Sequence, residues 1–252
     1  MFFILLRMKK IIIVGIILSC LITIVQPQDR FSESGRSLKR VENNILILDS
    51  GYNLDSKKEL EIRFFDKFNG LVEYFCDNTS NSGAFGFRIN KSNTNYILEV
   101  KYISNFKELQ QKVSKKYPTI GISGTVSQDS LKKVIAHNSA MFKKGREELS
   151  ENFQIETLTF PIGNQFVEIL HQKMVWCIDS YKIKGVPLVM RGVSDVVFRA
   201  VVDDEVWTLR ILNPKDDYLL KMSNLCRQII NDAKAGELDE SEYMTVLKTF
   251  EE

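Results

Sequence analysis

The sequence predicts an α+β protein, an antiparallel sheet covered on one face by helices and built from two helix–hairpin–helix units. Two observations carry the fold. Apolar side chains recur every third or fourth residue over several long stretches, the spacing of helices with one buried face. Two other stretches alternate apolar and polar residues on either side of a short turn, as half-buried hairpins do. A third observation concerns destination: Met8 to Gln28 opens with two lysines and continues as an apolar run from Ile11 to Val25.

That run of 15 residues is short for a membrane span, which needs about 20, and Pro27 ends it. A basic opening followed by an apolar segment is the order of a secretory signal. Export with cleavage is the expectation, so the chain should be periplasmic or associated with the cell envelope. An uncleaved signal anchor is the second reading, because no small-x-small site precedes Asp29. Ile17-Leu18-Ser19-Cys20 has the form of a lipobox and makes Cys20 a candidate for lipidation, although Leu21 to Val25 continues the apolar run. The segments follow in order: 1–28 signal, 29–53 polar tether, 54–126 first unit, 127–162 connecting helix and strand, and 163–252 second unit.

In the first unit, Leu60, Phe64, Phe68, Leu71, Val72 and Phe75 form one apolar stripe, so a single helix is expected from about Asp55 to Asn78. Strands follow at Ala84 to Asn90 and at Tyr96 to Ile103, and then a helix from Asn105 that stops at Tyr117-Pro118. Ser127 to Glu151 reads as a longer, highly charged helix and Phe153 to Ile162 as a strand. In the second unit Asn164 is the expected cap of a helix whose stripe is Phe166, Leu170, Met174, Cys177 and Tyr181, broken at Gly185-Val186-Pro187. Asp195 to Val202 and Glu205 to Leu212 form the second hairpin. Helices carrying Met222, Leu225, Cys226, Ile229 and Ile230, and then Tyr243, Val246 and Leu247, close the chain.

The hairpins match at a constant offset of 111 positions: Phe87-Arg88 falls on Phe198-Arg199, Tyr96 on Trp207, and Val100 on Ile211. Two readings of the match stand. One is an internal duplication with a groove between the copies; the other is that half-buried strands select the same residue types. Arginine and aromatic side chains together build recognition surfaces, which makes Arg88, Arg199, Tyr96 and Trp207 the candidate ligand-binding residues.

Other chemistry finds little support. His137 and His171 are isolated and no C-x-x-C or H-x-x-x-H spacing occurs, so no metal or cofactor is expected. Asp203, Asp204 and Glu205 read as a polar hairpin tip, with a weak calcium site as the alternative. Gly121-Ile122-Ser123-Gly124 lacks the spacing of a nucleophile elbow and reads as a strand-end turn. Cys76, Cys177 and Cys226 fall on apolar stripes as small buried side chains; Cys76–Cys177 is the candidate disulfide. Of the chain's 34 Lys+Arg and 32 Asp+Glu, Arg7, Lys9 and Lys10 belong to the signal, leaving a near-neutral body. Neutrality gives no electrostatic case for nucleic acid or for an anionic membrane surface, and membrane contact is expected only through the N-terminal segment.

The second hairpin and closing segment, VVFRAVVDDEVWTLRILNP and KMSNLCRQIINDAKAGELDESEY, together with FGFR and YILEVKY, resemble uncharacterised exported proteins of Bacteroides-type bacteria. The resemblance implies export and supplies no catalytic residues. The expected function is a noncatalytic exported module that binds a protein or another envelope-associated ligand. The alternative is a hydrolase whose cysteine- or carboxylate-based site, drawing on Cys76, Cys177, His137 or His171, assembles only in three dimensions.

Overall fold

The computed structural model describes residues 37–43, 54–66, 68–78, 82–92, 95–124, 127–181, 194–203, 205–215 and 217–251. The signal with Cys20, most of the tether, the break at Gly185-Val186-Pro187 and Asp204 lie outside them. The fold is α+β. Strands β1 (Ser37–Asn43), β2 (Val72–Asn78), β3 (Gly83–Ser92), β4 (Asn95–Ile103), β5 (Ile155–Ile162), β6 (Asp195–Val202) and β7 (Glu205–Leu212) form one sheet in the order β1-β7-β6-β2-β3-β4-β5. Six of them pair antiparallel in succession, and β1 joins β7 in parallel. Among the described residues the helices are α1 (Leu54–Phe65), α2 (Phe106–Lys116), α3 (Gln128–Asn152), α4 (Asn164–Ser180), α5 (Asp217–Ala235) and α6 (Glu240–Lys248).

Both hairpins form where the alternation places them, and the second turns at Asp203 with a φ of 46°. The stripe of α4 is buried as expected: Phe166, Leu170, Met174, Cys177 and Tyr181 are each at most 5% exposed. Its cap is Gly163 rather than Asn164, and the Gly163 N–H donates to both Glu240 carboxylate oxygens at 3.0 and 3.1 Å. A side chain from α6 thus satisfies a backbone donor that the first turn of α4 leaves open.

The long first helix does not form. α1 ends at Phe65, and Val72 and Phe75, expected on its stripe, lie on β2. β2 is the middle strand, and Val72 through Asp77 are all buried because both faces of the sheet are covered. One face packs on α4, α5 and α6 around Tyr74, Phe87, Phe198 and Leu209. The other carries Phe75, Ala84, Ile103 and Val197 beneath Leu60, Phe64 and Phe65 of α1. The expectation of helices on one face only is therefore corrected. The tether also contributes structure, since its polar segment Ser37–Asn43 forms β1.

Pairing geometry corrects the duplication. β3 and β6 are both antiparallel to β2, and Phe87 and Phe198 flank the same residue, Tyr74, on the same face. Their rings lie 5.9 and 5.4 Å from the Tyr74 ring. β4 and β7, however, lie on the outer sides of β3 and β6, away from β2. Bringing β3 onto β6 with direction and facing preserved is a translation across the sheet, which carries β4 onto β2 and not onto β7. The two hairpins are opposite in hand about β2, so no rotation superposes them, and β2 fills the place of the expected groove.

Close packing of α1 on the sheet depends on Gly86. A Cβ there would stand 2.8 Å from Phe65 Cε2 and against the Tyr74 carbonyl oxygen. Gly86→Ala is therefore expected to cost about 1–3 kcal/mol by overpacking. Urea unfolding measures it, and an unchanged midpoint would mean that Phe65 does not press on β3 in solution.

Candidate functional site

The candidate ligand-binding residues divide between the two faces of the sheet. Arg88 and Arg199 sit on the α1 side, each directly opposite Glu73 of β2. Strand alternation puts Tyr96 and Trp207 on the other side, where both are half-buried against the larger core. Three strands, β3, β2 and β6, separate β4 from β7, which spaces the two aromatics by about 19 Å. The four residues form no common surface.

The arginines instead build an ion-pair network beneath α1. Arg88 donates through Nε to Glu73 Oε2 at 3.0 Å, through Nη1 to Asn69 Oδ1 at 2.6 Å, and through Nη2 to the Phe65 carbonyl. Arg199 bridges the other Glu73 oxygen to Glu61 of α1. Arg210 of β7 completes the line, 3.1 Å from Glu61 Oε2 and 3.0 Å from Asp195 Oδ1. Three guanidiniums thus meet three carboxylates, and Glu73, Asp195 and Arg88 are at most 5% exposed. Burial works against the charge on Arg199, but Glu73 and Glu61 hold it firmly protonated. The Arg88 guanidinium also lies 4.9 Å from the Phe65 ring centre, and Lys101 Nζ lies 5.5 Å from it. This arrangement fastens α1 to four strands and leaves its arginines facing carboxylates of the same chain.

Cys76, Cys177 and Cys226 are free thiols, so the candidate disulfide is not formed. Cys76 lies on β2 rather than on a helix stripe, while Cys177 and Cys226 face the same core from α4 and α5. Burial pushes the Cys76 thiol up to about 11 and Cys177 up to about 12, and raises Cys226 as well. A nucleophilic cysteine needs the opposite shift. Cys76 has Arg227 Nη2 at 3.7 Å, and His137 is exposed on α3. His171 is engaged with the Val201 carbonyl. No Cys–His dyad comes together among these residues.

No protein-family model matches the chain, and neither a curated protein nor a solved structure matches it.

Among the described residues no three His, Cys, Asp or Glu side chains converge as metal ligands. Gly121 to Gly124 lies between two helices, α2 and α3, and not at a strand end. Sequence reasoning did not single out the edges of the sheet. Among the described residues β1 covers β7 at one edge, while β5 ends the strand order at the other with β4 as its sheet neighbour. Glu156, Thr157, Thr159 and Pro161 of β5 are exposed. An edge strand presents a row of backbone donors and acceptors that a second extended segment can pair with. The signal for it was the polar–apolar alternation of Glu156 to Phe160, which marks a strand but does not say where in the sheet it lies.

Proposed function

We propose that the chain is an exported, noncatalytic module that holds a protein or other envelope-associated ligand, engaged as an extended segment along the outer edge of β5. The observation that carries this reading is the asymmetry of the sheet, whose middle strands are covered on both faces by helices and whose β7 edge is taken by β1, while β5 ends the order among the described residues. The basic and apolar N-terminal segment supports export, as does the resemblance to exported proteins of Bacteroides-type bacteria. Arg88 and Arg199 act in this reading as internal supports and not as ligand contacts, because their partners are Glu73 and Glu61.

Placing a photo-crosslinking residue at Thr159 of β5, in cells that express the full chain, tests the proposal. A discrete adduct is expected from Thr159 and not from Lys221 on α5, which is also exposed. Equal labelling from both positions, or none from Thr159, defeats the reading.

A further inference from the structure

The near-neutral total charge conceals a concentrated basic region. Between residues 112 and 146 the chain carries eight Lys and Arg against a single acid, Asp129. This region comprises the end of α2, the loop after it and most of α3. α3 runs for 25 residues, yet Gly145 is its only buried residue. One side of α3 meets α2: Gly145 faces Val113 and Tyr117, and Glu148 bonds Lys116 at 2.6 Å and Tyr117 at 2.8 Å.

An apolar patch occupies the adjoining side. Ile120 and Ile122 are each 48% exposed, Ile135 is 54% exposed and Phe142 is 61% exposed. Ile120 is held beside the α3 residues because the Asn138 amide accepts from the Ile120 N–H at 2.8 Å and donates to its carbonyl at 2.9 Å, and Ile122 follows two residues on. Ile135 and Phe142 lie three residues before and four after Asn138, on neighbouring turns of the same helix face. The Asn138 bonds also satisfy both backbone groups of Ile120, which a segment leaving water requires. Lys132 follows one turn before Ile135, and Arg146 one turn beyond Phe142.

We propose that this arm docks on an anionic lipid surface, with Ile120, Ile122, Ile135 and Phe142 entering the interfacial layer and the surrounding lysines and Arg146 meeting the headgroups. Exposed apolar residues within a basic rim are the composition of an interfacial membrane contact. A second copy of the arm brings charge of the same sign and is repelled. Isoleucines offer no ring on which a nucleic-acid base can stack, which leaves three of the four patch residues unused by that partner. The inference rests on the arm alone and adds a second contact to the proposed ligand edge, independent of it.

The test uses the full chain carrying Phe142→Trp, read as a difference from the parent so that Trp176 and Trp207 cancel. The apolar N-terminal segment can bind any bilayer, but a tryptophan at position 142 reports only on the arm. Vesicles of phosphatidylglycerol in phosphatidylcholine are expected to shift its emission to the blue, with quenching by brominated acyl chains; phosphatidylcholine alone should not. Each basic residue near an anionic surface favours partitioning about five-fold, so replacing Lys132, Lys143 and Arg146 by Gln should weaken the response on the order of 100-fold. These positions are exposed, so thermal unfolding of the variants should match the parent. No shift with anionic vesicles, an equal shift with phosphatidylcholine, or a shift that survives the Gln substitutions overturns the proposal. So does an equal response to polyglutamate or a DNA oligonucleotide, which would make the arm a general polyanion site.

Discussion

Glu73→Gln is expected to remove about 3–5 kcal/mol of stability, the range for breaking a buried ion pair from one side. Glu73 lies on the middle strand at 1% exposure, with Arg88 on one side and Arg199 on the other. Removing its charge leaves both guanidiniums under α1 with one carboxylate fewer. Their remaining partners do not replace it: Arg88 keeps Asn69 and the Phe65 carbonyl, and Arg199 keeps Glu61. A single-domain protein is stable by about 5–15 kcal/mol, so a loss of this size takes a large part of the total. Urea unfolding at neutral pH measures the change. Glu148→Gln, which touches only the exposed Lys116 pair and the Tyr117 hydroxyl, should cost far less. Similar losses for the two variants would mean that the network under α1 is as well hydrated as the surface pair.

The same network explains what was legible in the sequence. Helices with one wet face keep the 3.6-residue rhythm, so α4 and α5 could be read directly from Phe166, Leu170, Met174 and from Met222, Cys226, Ile229. The hairpins were legible for the analogous reason, each having alternating residues around a short turn. β2 was not, because burial on both sides removes the alternation that identifies a strand. Leu71, Val72 and Phe75 then fit helical spacing by coincidence, while Glu73 among them is a buried counter-charge. Asn69-Gly70 ahead of the aromatic and branched run Val72-Glu73-Tyr74-Phe75 was the signal that could have separated the two.

Missing β2 also inverted the meaning of the matched arginines. The 111-residue offset correctly put Arg88 and Arg199 in equivalent rows, but without Glu73 between them they appeared to face a ligand. β1 was illegible for a different reason. Its residues, Ser-Leu-Lys-Arg-Val-Glu-Asn, contain little apolar patterning, and its place depends on backbone pairing with β7. The basic arm was obscured because summing charge over the whole chain erases where the charge sits.

Stability is expected to fall steeply at alkaline pH, and the cause is the thiols in the larger core. A cysteine in the unfolded chain releases its proton near 9, whereas burial holds the Cys76 proton to about 11 and the Cys177 proton to about 12. Arg227 beside Cys76 and Lys173 beside Cys177 act in the opposite direction but do not cancel the loss of hydration. Below pH 9 both states keep these protons and the full stabilisation is present. Above it the unfolded chain has released protons that the native core retains, so unfolding becomes progressively more favourable until the folded values of about 11 and 12 are passed. Each thiol contributes on the order of 3 to 4 kcal/mol across that window. Tyr74 and Cys226, both raised by burial, act in the same direction. Urea midpoints measured from about pH 8 to about pH 11 should therefore decline once pH 9 is passed, and Cys177→Ala should flatten the decline while lowering the starting value through the cavity it leaves. The same protonated thiols should resist iodoacetamide in the native protein at about pH 8 and react once it is unfolded. A midpoint that stays level, or native alkylation of one core cysteine that depends on His137 or His171, would remove the case for inert thiols and restore the cysteine hydrolase as the better reading.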